Sequence, residues 1–101
     1  MPSRVLIATL VAPLLAAPAT AADIGPLPFV CDDGTRFTIT FHDDAWAVLA
    51  IGDHRSTLTQ KPMASGIRYE GHALAYQEHQ GIGTLIRLPE GKETTCRRQP
   101  G

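Results

Sequence analysis

Residues 35–41 alternate strictly, Thr35-Arg36-Phe37-Thr38-Ile39-Thr40-Phe41, which puts Phe37, Ile39 and Phe41 on one face. A period of two marks a strand with one buried face. Asp32-Asp33-Gly34 before it and His42-Asp43-Asp44 after it are turn residues, whose short side chains bond nearby backbone groups. Residues 45–51, closed by Gly52-Asp53-His54, and 55–60, closed by Lys61-Pro62, continue a meander. Segments 63–70, 73–79, 82–88 and 92–96 follow, each ended by glycine, proline or polar residues, and 27–31 opens the series. Eight short strands with turns roughly every 8–12 residues predict an all-β fold, a small eight-stranded antiparallel β-barrel. Closure removes the bare edges that an open sheet would leave.

The alanine-rich stretch 45–50 is apolar on both faces, so it suits a helical turn as well as a strand, and the expectation is a strand. Candidates to fill the lumen are Phe37, Ile39, Phe41, Trp46, Val48, Leu58, Leu85 and Ile86, although adjacent Leu85 and Ile86 cannot both point inward. A barrel of this size is filled by its own side chains, which moves function to the loops.

The first residues change the compartment. Arg4 precedes an apolar run from Val5 to Leu15, followed by small residues ending in Ala19-Thr20-Ala21. That is the pattern of a secretory signal peptide at 1–21, and the run is shorter than the roughly 20 apolar residues a membrane span requires. Cleavage after Ala21 leaves one domain, 22–101, expected to be periplasmic. The first cysteine is Cys31, well past that junction, so no lipid anchor is expected. Losing Arg4 leaves eight Lys and Arg against ten Asp and Glu, a net charge of −2 with neutral histidines. The only basic cluster is Arg97-Arg98, which argues against a nucleic-acid partner. In an exported chain two cysteines, Cys31 and Cys96, make one disulfide across the two ends of the domain.

Catalytic chemistry finds no footing. Two loose groups, His42, Asp43, Asp44 and His54, and His72, Glu78 and His79, lack the ligand spacing of zinc motifs, so neither a metal nor another cofactor is expected. Ser65 has no nucleophile-elbow context, and no base can be matched to it by spacing, so the chain reads as a non-enzyme. The segment Ala64-Ser65-Gly66-Ile67-Arg68-Tyr69 remains. Gly66 either permits a bulge that pushes Ser65 outward or marks an ordinary strand entry.

The order Cys31, Phe37 to Phe41, Ala47-Val48-Leu49, Leu58, Ala64-Ser65-Gly66-x-x-Tyr69, Gly81, Cys96 resembles the bacterial inhibitors of C-type lysozyme, membrane-bound and periplasmic. The likeness covers almost the whole chain after the leader, and Ser-Gly-x-x-Tyr is its most specific element. It implies an eight-stranded antiparallel barrel with one disulfide joining its ends, C-type lysozyme as partner, and a loop that enters the lysozyme cleft. In that family the motif serine and a lysine before a glycine on the next hairpin meet the catalytic carboxylates. Carried over, Ser65 contacts a carboxylate, Gly66 lets the loop enter, Tyr69 anchors it to the barrel, and Gln80, before Gly81, takes the lysine's place. That last position departs from the pattern. A neutral hydrogen bond nets about 0.5–1.5 kcal/mol against about 1.5–3 kcal/mol for one to a charged group. His79 and Arg68 are the candidates to restore the charge, and Glu78, if turned to the cleft, opposes it. The rival expectation is a non-catalytic envelope binding module on the same barrel, one that has lost lysozyme.

Overall fold

The computed structural model describes residues 23–43 and 45–100, so the signal-peptide segment lies outside the described residues. Eight strands follow in chain order: β1 (Ile24–Cys31), β2 (Arg36–His42), β3 (Trp46–Ile51), β4 (His54–Lys61), β5 (Ile67–Glu70), β6 (Leu74–His79), β7 (Ile82–Arg87) and β8 (Lys92–Arg98). Each is antiparallel to the next, and β8 returns to pair with β1, closing the barrel. The fold is the one the turn spacing predicted.

Cys31 and Cys96 face each other across the β1–β8 seam and are joined by a disulfide, both sulfurs buried. The covalent bond therefore sits where the first and last strands must meet. Inside, Phe29 and Phe37 stack at 5.0 Å between ring centres, and Tyr76 packs edge-on to both. Ile39, Leu49, Leu58 and Leu85 complete the lumen, fully buried. Offset and edge-to-face ring pairs contribute about 0.5–1.5 kcal/mol each beyond their burial, which suits a core this small.

Two lumen assignments are corrected. Trp46 and Val48 belong to the outer face of β3, and Ala47 and Leu49 fill the lumen instead. The β2–β3 register decides this, since Phe41 pairs with Ala47 and Ile39 with Leu49, and directly opposed residues share a face. Trp46 pairs with His42 and stacks on its ring at 4.1 Å. Of the adjacent pair, Leu85 enters the core while Ile86 lies on the outer wall between Ala75 and Glu93, still only 4% exposed. The segment expected as strand from 63 pairs only from Ile67, so residues 62–66 form a loop.

Candidate functional site

In an up-and-down barrel with eight strands, every odd-numbered strand starts at the same end. That end carries the starts of β1, β3, β5 and β7, the β2–β3 connection, the 62–66 loop, the 80–81 turn and the close of β8. The opposite end carries the turns at 32–35, 52–53, 71–73 and 88–91, which include Asp32, Asp33, Asp53, His72 and Glu90.

Among the described residues the exposed large hydrophobics are Ile24, Trp46, Met63, Ile67 and Ile82, between 39% and 58% exposed. Four of them open β1, β3, β5 and β7, and Met63 lies in the loop between β4 and β5. All five are therefore at one end of the barrel. Isolated exposed apolar residues need no explanation, but their confinement to one end makes that end the candidate interaction surface.

Ser65 is exposed in the loop at that end. Gly66 follows with φ +81°, in the left-handed region that favours glycine, and a Cβ there would run into the backbone carbonyl oxygen of Glu78. The loop thus re-enters the sheet pressed against β6, where Ile67 pairs with Glu78. Two residues beyond Glu78 comes the two-residue turn Gln80-Gly81, linking the pair His79 and Ile82. Both turn residues have positive φ, +52° and +81°, as the favoured two-residue hairpin turns demand. Asparagine or glycine suits the first of these positions, so Gln80 is held there at a backbone cost on the order of 1 kcal/mol. Ser65, Gly66, Gln80 and Gly81 are thereby gathered on two adjoining segments.

Tyr69 is not part of the exposed surface. It is 4% exposed, with its ring tilted against Phe41 at 5.2 Å, and it holds the base of the loop from inside the barrel. Beside it in register, Tyr76 donates its hydroxyl to Glu78 Oε1 at 3.1 Å. Burial, with the Glu78 charge and hydrogen bond adding to it, pushes the Tyr76 phenol far above its ordinary pKa, so it stays a donor. Glu78 is drawn toward the barrel mouth rather than held outward.

Arg68 is already committed on the outer wall. Its guanidinium lies 3.3 Å from Glu70 Oε1 and donates to Gln77 Oε1. Arg97 is likewise paired with Asp32 at 2.9 Å. The two histidine groups come apart, because His42 and His54 lie at opposite ends of the barrel, as do His72 and His79. His42 Nδ1 instead lies 3.1 Å from Asp23 Oδ1.

Arg98, noted in the sequence only as half of a basic pair, joins this end of the barrel. It pairs with Phe29 across the β1–β8 seam, two residues after the buried Cys96, and so continues the inward row at the barrel mouth. There it lines an opening of about 210 Å³ together with Leu27, Phe29, Glu78 and Gly81. The only sequence signal was its even spacing from Cys96.

No helix among the described residues is long and apolar enough to cross a membrane. No curated protein and no solved structure matches the chain. Residues 29–93 match a family model described as membrane-bound lysozyme-inhibitor of c-type lysozyme.

Proposed function

Because the chain belongs to the family of membrane-bound lysozyme inhibitors of c-type lysozyme, we propose that it inhibits a C-type lysozyme by docking the odd-strand end of its barrel into the active-site cleft. The observation that carries this reading is the apolar rim of Ile24, Trp46, Met63, Ile67 and Ile82 at the end that presents Ser65 and the Gln80-Gly81 turn. The rim supplies buried area, and the two polar segments supply fit.

Glycoside hydrolysis of this kind uses two carboxylic groups flanking the scissile bond. A docked hydroxyl at Ser65 donates to one of them, and the Gln80 amide donates beside it. Occupying those groups denies substrate the site without any bond being made or broken, so the protein needs no catalytic group of its own. Exported by the leader expected at 1–21, it acts in the periplasm.

Purified oxidised protein is titrated into a C-type lysozyme acting on bacterial cell walls. Inhibition is expected, and Ser65→Ala weakens it at least several-fold, since a hydrogen bond to a charged group is lost. A Ser65→Ala protein that inhibits as well as its parent rules out the assigned role of the loop. The neutral Gln80 favours a second reading, an envelope binding module on the same barrel. Inhibition by Gln80→Lys with none by the parent selects that reading.

A further inference from the structure

Resting on the docking end proposed above, we infer that Arg98 supplies the cation that the hairpin lacks at Gln80. The guanidinium reaches the lysozyme carboxylates from the neighbouring strand rather than from the turn.

Of the lysine and arginine side chains at this end, Lys61, Arg68 and Arg98, only Arg98 lines the opening beside Gly81. Its side chain lies on the inward row and lines the opening that Gly81 also lines, so its charge is carried beside the Gln80-Gly81 turn. Among the described residues Arg68 pairs with Glu70 and Arg97 with Asp32, whereas Arg98 is in no ion pair and its charge acts on the Tyr76 hydroxyl. Glu78, the acid sharing its opening, accepts the Tyr76 hydroxyl and is in no ion pair with Arg98. Lys61 is also uncommitted, but it pairs in register with Arg68 and shares that residue's outer-wall face, away from the opening. An unpaired guanidinium is a strong receptor for carboxylate, because its planar fork donates two parallel hydrogen bonds. A cleft built around two carboxylic acids offers that acceptor.

Four variants are compared with the parent for inhibition of C-type lysozyme at low and physiological ionic strength, with thermal melts confirming that each is folded. Arg98→Gln is expected to weaken inhibition about tenfold or more and to flatten its salt dependence, because the pair it removes is screened by salt. Arg98→Lys is expected to retain most of the inhibition, and Lys61→Gln to match the parent. The double variant Gln80→Lys with Arg98→Gln is expected to recover inhibition, since it returns the charge to the turn. If Arg98→Gln matches the parent in potency and salt slope, or if the loss appears in Lys61→Gln instead, the assignment to Arg98 is overturned while lysozyme inhibition stands. Should Arg98→Gln fail to fold, a parent whose inhibition is indifferent to salt overturns the assignment equally. A parent that does not inhibit at all overturns the docking proposal and this one with it.

Discussion

Replacing Gly66 with alanine tests whether the loop is seated as described, and Gly91→Ala provides the control. The two glycines have nearly the same backbone angle, φ +81° and +82°, but differ in surroundings. A Cβ at Gly91 meets nothing within 4 Å, whereas one at Gly66 meets the Glu78 carbonyl oxygen, a backbone atom that cannot rotate aside. Placing alanine in the left-handed region costs about 1–2 kcal/mol, and Gly91→Ala should lose only that. Gly66→Ala must also push the loop off β6, which disrupts the Ile67–Glu78 pairing at the start of four-residue β5 and costs about 0.5–1.5 kcal/mol more per hydrogen bond. Its total is about 2–4 kcal/mol. Small domains have roughly 0.05–0.15 kcal/mol of net stability per residue, so this is a large share of what a barrel of this length holds. Urea unfolding of both variants measures the difference directly. Lysozyme inhibition, compared at equal folded fraction, should fall about tenfold for Gly66→Ala and stay at the parental level for Gly91→Ala, because only the first displaces Ser65. Equal destabilisation by the two substitutions refutes the close approach. Full inhibition by folded Gly66→Ala refutes its bearing on the docking end.

Removing the disulfide with the pair Cys31→Ser and Cys96→Ser should cost about 4 kcal/mol by chain entropy for a separation of 65 residues. Melts with and without reductant check this, and a melting temperature indifferent to reduction contradicts it. At the opposite end, the Thr35 N–H donates to Asp33 Oδ1 at 2.9 Å and, with the Thr35 hydroxyl, holds the Asp33 carboxyl below its ordinary pKa of 3.8. A lowered folded value means the carboxylate stabilises the fold fully above pH 3.8, and that contribution fades as pH falls through the lowered value. Asp33→Ala should therefore melt earlier than the parent near neutrality, with the gap narrowing on acidification. A gap that is constant with pH rejects the assignment.

The parts of the fold legible in the sequence are those set by local chemistry. Strict alternation in 35–41 and the Asp, Gly and Pro clusters between strands fixed the strand count and order, and the closed meander follows from them. The face of β3 was not legible, because 45–51 is apolar on both sides and its period carries no information. Pairing with β2 decides it, and the larger Trp46 gives way to Ala47 because only the latter lies opposite Phe41. The start of β5 was placed too early because Met63 and Ala64 look like strand residues, while Gly66 sets the true entry through a constraint that lies twelve residues on, at Glu78. For the candidate site, Ser65-Gly66 and Gln80-Gly81 stood out as a motif and a turn. Arg98 did not, since its position beside Gly81 exists only once the barrel closes.

Closure of an even-numbered meander has a topographic corollary. The chain enters the barrel at Ile24 and leaves it at Arg98 on the same rim that holds Ser65. Anything spliced to either extremity, whether an affinity tag, a fluorophore or a tether to a surface, emerges beside the rim proposed for docking and crowds it. The tips at 52–53 and 71–73 point the other way, so a label or immobilising handle placed there leaves the Ser65 rim unobstructed.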